Sequence, residues 1–453
     1  MAVNAVSMAD SPTQSQEGPT SWWSEQDERT VTHILACIEE PVLSPRFTIL
    51  PSNPCASRQP SPPTMAAPPP PAPSTSTSPQ NVIHVGTRQS LLARLQADEV
   101  VAALRTHHPH THFEIHAMAT TGDNNQSTAL HKFNEKALWT QELEVKLENR
   151  EVDFVVHSLK DMPTQLPRRL VLGGVTRRGD KRDALVLKRG REGKGLADLG
   201  EGEVVGTSSL RRTAQLKRFY PGLRFRDVRG NIGTRLAKLD AEDGEYAAIV
   251  IAVAGLVRLG LTDRITSYLS KDNGGMLHAV GQGGLGIEIR EGDHRIEEVL
   301  KPIICERSMR AALVERSLMR TLEGGCSVPI GIETKWVSKK HSLIETSTTG
   351  VGVGIKPAEP FAPATNSPSQ PDAPATNEES DDDLTDELAV SAIVVSLDGQ
   401  DAAEVETSLT ITTFEEAEEF GIEIARLLVE QGAARILKAI TLNREIIHKQ
   451  GDA

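Results

Sequence analysis

The stretch Val205–Arg218, VGTSSLRRTAQLKR, contains a physical contradiction. Val204 and Val205 end an apolar run, Gly206 to Ser209 supply turn and N-cap chemistry, and Leu210 opens a helical pattern. Arg211 and Arg212 therefore fall in the first turn of a helix, where free N–H groups and the macrodipole already make the end positive. The chain carries a formal net charge of −13, so these cations are not spill-over from a basic composition. The simplest resolution is an anion held jointly by the turn, the helix start and the two guanidinium groups.

The same grammar occurs a second time. Ile83 to Val85 read as a short strand, Gly86 to Ser90 as a turn, and Leu91, Leu92, Leu95, Val100 and Leu104 as one face of a helix. Two copies, at 83–104 and 203–219, point to two similarly built α/β domains with a crevice between them. Between the copies, EKALWTQELEVKLENREV spaces Trp139, Leu143 and Leu147 four apart as a helix. In VDFVVHSLKDMP, Val152 to Val156 form a strand, and His157 to Pro163 leave its C-terminal end, where ligands sit in open α/β sheets. RFRDVRGNIGTRLAKLD and EYAAIVIAVAGLVRLGL continue the strand-loop-helix rhythm.

After Pro302 the pattern changes. SMRAALVERSLMRTLEGG is helical, LAVSAIVVSLDGQDAAEVETSLTI reads as a hairpin turned at Asp398-Gly399, and FEEAEEFGIEIARLLVEQGAARIL closes as an amphipathic helix. The expected fold is α/β: two similar hinged domains, periplasmic-binding-protein-like, plus a smaller C-terminal α+β domain. The boundaries are 81–178 with 279–302 for the first, 179–278 for the second and 303–453 for the third. Residues 1–80, rich in Pro, Ser and Thr, read as a disordered head in which TVTHILACIEEPVL is a short helix without assigned function. Residues 356–387 read as a disordered insertion. The apolar run Ala247–Val257 is too short to span a bilayer and reads as a buried strand. The head lacks the Arg-rich amphipathic pattern of a mitochondrial presequence and the form of a secretory signal, so the expected location is the cytoplasm. Cys37, Cys55, Cys305 and Cys326 show no metal-ligand spacing.

Arginine carries most of the functional signal. Arg88, Arg211, Arg212, Arg229 and Arg235 each lie beside Gly, Ser or Thr in a loop or first helical turn, where backbone N–H groups and guanidinium forks can share a carboxylate or phosphate. Arg258 occupies a similar-looking strand-to-helix position, whereas Arg218, Arg224 and Arg226 read as a solvated basic face. Lys160 and Asp161 stand together at a strand end. They are either an ordinary surface pair or a catalytic carboxylate and its neighbour at the mouth of a cationic crevice. Cys326 follows Gly324-Gly325 and precedes Ser327. It is either a structural thiol or an accessible nucleophile that carries a covalent group. AVGQGGLGIEIR, with Gln282 at its centre, lacks the spacing of a nucleotide loop and is either a hinge or a packing turn. No metal spacing is present. An acidic chain with 4% aromatics and no stacking motif argues against nucleic acid and for a small polycarboxylate.

Taken together, GTRQSLLA, TTGD, EKALWTQELE, VVHSLKDMPT, VGTSSLRRTAQL, VRGNIGTRLAKLD, AIVIAVAGLVRLGL, AVGQGGLGIE and LEGGCSVPIG resemble the porphobilinogen deaminase (hydroxymethylbilane synthase) family, in the family's order over residues 81 to 335. The resemblance implies a transferase of tetrapyrrole and haem biosynthesis. It joins four porphobilinogen molecules head to tail, releases ammonia at each step and frees the linear product with water. It implies a dipyrromethane cofactor bound through a thioether to Cys326, with Asp161 as the acid/base residue and Lys160 beside it in contact with the cofactor. It makes Ser208, Ser209, Arg211, Arg212 and Arg229 cofactor-binding, and Arg88, Ser90, Arg235, Arg258 and Gln282 substrate-binding. The partners implied are porphobilinogen and the growing polypyrrole chain, handled by a monomer with no nucleic acid, membrane or obligate protein partner. Asn124, Asn134 and Gln141 depart from residues common in the family, outside its catalytic motifs. Two other classes compete: a two-domain anion-binding module without chemistry, which needs neither Asp161 nor Cys326, and an Arg-rich nucleic-acid binder with steep salt dependence.

Overall fold

The computed structural model describes residues 81–124, 139–191, 195–322, 328–339 and 383–441. The expectations for the 1–80 head, for most of the 356–387 insertion and for Cys326 fall outside the described residues.

The chain opens with β1 (Asn81–Arg88), α1 (Leu91–His107), β2 (Thr111–Met118), α2 (Gln141–Glu148), β3 (Phe154–Ser158) and β4 (Leu170–Val175). It then crosses to a second sheet through β5 (Asp183–Leu187), β6 (Val204–Gly206), α3 (Leu210–Phe219), β7 (Arg224–Arg226), α4 (Ile232–Asp240), β8 (Tyr246–Ala252), α5 (Val253–Arg258) and β9 (Ser267–Leu269). It returns as β10 (Leu285–Arg290), followed by α6 (His294–Leu300). The sheet orders are β2-β1-β3-β10-β4 and β7-β6-β8-β5-β9. In each, three parallel strands are followed by one antiparallel strand that arrives directly from the other lobe: β10 in the first sheet, β5 in the second. The lobes thus share a topology and are joined by two adjacent crossovers.

Hydrophobic patterning explains the layers. In β1, Ile83 and Val85 are fully buried beneath α1, where they meet Phe154, Val156 and Ile287. In β8, Val250 packs into one apolar cluster while Ile249 and Ile251 pack into another, because this central strand is covered on both faces. The run read as a buried strand is therefore β8 continued by α5.

The third unit comprises α7 (Glu306–Thr321), β11 (Ile330–Ser338), β12 (Leu384–Val395), β13 (Ala402–Thr410) and α8 (Phe414–Glu430), with an antiparallel sheet ordered β11-β12-β13. The hairpin turns at Asp398-Gly399 as its sequence implied, with Gly399 at φ +81°. Thr413 and Glu416 form a reciprocal capping box at the start of α8. A Cβ at Gly421 would stand 1.9 Å from Ser317 Oγ, so this glycine lets α8 lie directly against α7. One boundary needs correction. Leu384 to Glu387, assigned to the insertion, belong to β12, and Glu387 pairs with Thr410. Acidic composition concealed a strand whose partners lie elsewhere in the chain.

Candidate active site

The crossovers form a shared hinge. Gly179 N–H donates to Gly283 O at 3.3 Å, and Gly283, at φ +87°, leaves only 2.6 Å between a hypothetical Cβ and Gly179 O. The third unit fastens this hinge. Fully buried Glu315 of α7 accepts both terminal nitrogens of Arg178, at 2.5 and 2.9 Å, together with Gly281 N–H at 2.7 Å and Thr334 Oγ1 at 2.7 Å. Arg178 and these donors hold the Glu315 carboxyl below its usual range against the opposing effect of burial. The Gly-rich segment around Gln282 is thus a tight turn packed into the crossover between the lobes. His278 beside it is buried, and burial with the nearby cations Arg178 and Lys181 pushes its imidazole well below the usual value.

The contradiction posed by Arg211 and Arg212 is resolved from within the protein. Both are buried in the first turn of α3, and their anion is Asp183, the first residue of β5. Arg211 Nη2 donates to Asp183 Oδ2 at 2.9 Å, while Arg212 donates to Oδ1 through Nε at 3.1 Å and Nη2 at 2.7 Å. Arg211 Nη1 also reaches Leu277 O, and Arg212 Nη1 reaches Val250 O at 2.8 Å. Burial opposes the Asp183 carboxylate, but the two arginines outweigh it and hold its pKa far below the ordinary carboxylate range. Sequence reading missed Asp183, although an acid opening the otherwise apolar strand DALVL was a usable signal, since a buried carboxylate requires partners.

Gln282 extends this network toward the first lobe. Its Nε2 donates to Asp183 Oδ1 at 2.9 Å and to Lys181 O at 2.7 Å, and its Oε1 accepts Lys160 Nζ at 3.5 Å. Lys160 and Asp161 lie in the single 3-10 turn that follows β3. Burial pushes Lys160 down to about 8, opposed by Asp161 and reinforced by Arg212. Asp161 Oδ2 lies 3.8 Å from Arg88 Nη1 and remains about one third exposed. Arg316 of α7 steadies the following loop, donating to Met162 O at 3.2 Å and Pro163 O at 2.5 Å.

Arg88 ends β1. Its Nε donates to Asp123 Oδ2 at 3.2 Å, its Nη2 pairs with Asp123 Oδ1, and its guanidinium lies 4.1 Å from the centroid of Trp139. Asp123 also accepts the Thr120 hydroxyl at 2.9 Å, and these partners hold its carboxyl below the usual range although burial pulls the other way. Asp123, from TTGD, is a second acid that sequence reading left without a role.

From the second lobe, Arg235 Nε donates to Gly230 O at 2.8 Å. Burial and the neighbouring charges of Arg212 and Arg229 push Arg235 down to about 10, with Asp161 acting in the opposite sense. Burial also lowers Arg229, which Asp227 opposes. Arg212, Arg229, Arg235, Lys160 and Asp161 therefore act on one electrostatic environment spanning both lobes.

Other expected binding residues have internal partners. Ser90 and Ser209 cap α1 and α3, accepting Ala93 N–H at 3.3 Å and Arg212 N–H at 3.4 Å, and Ser208 Oγ donates to Val228 O at 3.1 Å. Arg258 is the last residue of α5, not a strand-to-helix loop residue, because the helix follows β8 without an intervening loop. It bridges the lobes through Glu99 at 2.9 Å and Gly283 O at 3.4 Å. Arg218, read as solvated surface, pairs with Glu404 of β13 at 2.9 Å. Among the described cysteines, Cys305 precedes α7, and its backbone N–H donates to Val175 O at 2.9 Å.

Two α/β lobes joined by paired crossovers, with basic side chains from both around the partly exposed Asp161 carboxylate, suit an anionic ligand. Comparison with known proteins narrows this class. Residues 83–298 match the family model described as the porphobilinogen deaminase dipyrromethane cofactor binding domain, and residues 309–346 match the porphobilinogen deaminase C-terminal domain. A porphobilinogen deaminase of Neurospora crassa is 46% identical over 371 residues, covering 81% of this chain and 96% of its own. Those of Yarrowia lipolytica and Saccharomyces cerevisiae are 44% and 41% identical, each over 80% of this chain and over 94% and 98% of their own. The chain belongs to the porphobilinogen deaminase family. Among the described residues no helix is long and apolar enough to cross a membrane.

Proposed function

We infer that this protein is a hydroxymethylbilane synthase, a transferase that condenses four porphobilinogen molecules into linear hydroxymethylbilane with release of four ammonia molecules and consumption of one water. Family membership supports the reaction. The observation that carries the residue assignment is the position of Asp161, 3.8 Å from Arg88 on its own lobe and within the electrostatic reach of Arg235 from the other.

The donor set suits the dipyrromethane group. Its pyrrole carboxylates would relieve the mutual crowding of Arg212, Arg229 and Arg235, and Lys160 stands at the same crevice. The group, when bound, supplies the nucleophilic pyrrole terminus that the first substrate joins. We assign its covalent attachment to Cys326, in the segment between Leu322, which follows α7, and Val328. α7 is itself tied through Arg316 to the loop that carries Asp161.

In each condensation the C–N bond of the incoming aminomethyl group breaks, a C–C bond forms to the terminal pyrrole carbon, and that carbon loses a proton. Asp161 is placed to move the proton and to stabilise the positive charge developing on the incoming ring, where a partly shielded carboxylate acts more strongly than in water. Arg88 and Arg235 orient the acid side chains, and Ser90, Ser208, Ser209, Arg211, Arg258 and Gln282 support the surfaces presenting them. Covalent retention converts successive encounters into reactions within one complex. The coarse partner is thus porphobilinogen itself. Action as a cytoplasmic monomer on the growing chain belongs to the same reading.

The test is intact mass with peptide mapping. The purified protein, reconstituted with porphobilinogen where necessary, should carry two linked pyrrole units on the peptide containing Cys326, and Cys326→Ser should lose them. A thiol that stays free after reconstitution overturns the assignment.

A further inference from the structure

The edge of the first sheet farthest from β4 carries chemistry that tetrapyrrole synthesis does not use. β2 is the edge strand, and its sequence THFEIHAM places Glu114 and His116 two residues apart, hence on one face. The parallel register sets His84 of β1 opposite Glu114, and Gly86 opposite His116. The two imidazoles are thus diagonal neighbours across the strands.

Their polar atoms converge. His84 Nδ1 lies 2.9 Å from His116 Nε2, and Glu114 brings one carboxylate oxygen to 3.7 Å from the first nitrogen and the other to 3.9 Å from the second. The ring centroids are 5.0 Å apart at an interplanar angle of 52°, so the rings meet through their nitrogen edges rather than by stacking. We propose that His84, Glu114 and His116 form a binding site for one divalent transition-metal ion of the zinc class, clamping β2 to β1.

The geometry needs little adjustment. Two ligand atoms bound tetrahedrally at the usual zinc distances lie about 3.4 Å apart. The shortest contacts bracket that value, and one ligand atom from each residue lies within 4.8 Å of the others, so side-chain rotations on a fixed backbone complete a three-ligand set. Without metal, one imidazole must donate a proton to the other across the 2.9 Å contact. Metal binding displaces that proton to the other nitrogen of the same ring, so a pair of neutral imidazoles takes up the ion by a change of tautomer with no net proton release. Two imidazoles and a carboxylate favour zinc, cobalt, nickel or copper over magnesium or calcium, which prefer all-oxygen sets.

The surroundings supply rigidity on one side and access on the other. His84 N–H donates to Asp153 Oδ2 at 2.8 Å and its carbonyl accepts Asp153 N–H at 2.7 Å, fixing the backbone beneath the site. The three side chains are 40%, 53% and 37% exposed in chain order, which leaves an entry path and room for water as the remaining ligand. His84 precedes Arg88 by four residues of strand, about 13 Å along β1. The site is thus separate from the crevice, and its expected effect is on stability. An ion bound by the folded state alone stabilises it by mass action.

The full-length protein, freed of metal by chelation, can be titrated with zinc chloride by calorimetry and with cobalt(II) by absorption. The expected result is one equivalent bound at micromolar or lower Kd, with a cobalt spectrum lacking an intense thiolate band. Affinity should fall at least tenfold in His84→Ala and in His116→Ala, and less in Glu114→Gln. The zinc-induced rise in melting temperature should disappear in the two histidine variants. His84→Gln and His116→Asn, which preserve polarity on the strand face, guard against misfolding and should give the same loss. His107→Ala with His110→Ala should bind normally. Unchanged binding in the His84 and His116 variants overturns the proposal. So does loss that instead follows His107 and His110, a thiolate band, or saturation only at millimolar metal.

Discussion

Two turns in this molecule begin alike and are used differently. Gly86-Thr87 in the first lobe and Gly206-Thr207 in the second each lead from a strand, through a serine cap, into a helix. Thr87 and Thr207 are both buried, and both serines accept an N–H three residues on. The arginines then diverge. Arg88 stands on the strand side, stacked on Trp139 and held by Asp123 with about a fifth of its side chain exposed. Arg211 and Arg212 stand on the helix side, buried against a carboxylate with no exposed surface. One turn presents charge to the crevice, and the other uses charge to lock β5 to α3. A shared local motif specifies a scaffold, while the placement of the acid selects its use.

This contrast implies that activity and stability can be lost separately. Asp161→Asn should lower turnover by roughly a thousandfold, within the usual range for a group transferring protons, and leave the melting temperature almost unchanged. A parallel collapse of stability would recast Asp161 as structural. Asp183→Ala should act in the opposite sense. With two buried cations left unpaired it should cost about 3–5 kcal/mol in denaturant unfolding, and a far smaller cost would mean that Leu277 O and Val250 O suffice as acceptors. Asp123→Asn, in the more open turn, should cost only about 2 kcal/mol. Equal losses at Asp123 and Asp183 would break the contrast.

The pH dependence sharpens it. Lys160 is held at about 8 from an ordinary 10.5, so above pH 8 the folded protein loses a proton that the unfolded chain retains. The stability contribution of Lys160 therefore rises between pH 8 and 10.5, while calorimetric affinity for a pyrrole dicarboxylate falls as the ammonium is lost. Lys160→Met should flatten the affinity profile and lessen the rise in stability. Lys181, also near 8, donates to Thr334 O outside the crevice, so Lys181→Met should flatten only the stability profile. The smallest expected effect tests what the turns share: Ser90→Ala and Ser209→Ala should each cost about 1 kcal/mol by thermal or chemical melts.

Legibility followed the range of the interactions. Ser209 was readable as a cap because a cap bonds within three residues, and Ser90 and Thr413 turn out to cap by the same local bond. β8 was readable as buried from Ala247 to Ala252 because a central strand has no polar face. The Lys160-Asp161 turn was readable as a strand-end loop for the same local reason. Less was visible at Arg258, whose helix starts without the loop its sequence suggested, and at Leu384–Glu387, where an acidic stretch joins a sheet through distant partners. Asp123 and Asp183 went without a role because their cations lie 35 and 28 residues away.

The sequence alone determined the repeated strand-turn-helix unit, the hairpin at Asp398-Gly399, the concentration of arginine at turns and the family resemblance. These rest on local periodicity, short-range hydrogen bonding and ordered motifs. Only the tertiary structure decided which anion answers Arg211 and Arg212, how Gln282 links Lys160 to Asp183, and how Glu315 secures the hinge. Each of those contacts depends on crossovers between two sheets and on dense packing around a buried charge. Coulomb attraction inside a protein depends on separation and on water exclusion, and neither quantity is defined until the chain has folded.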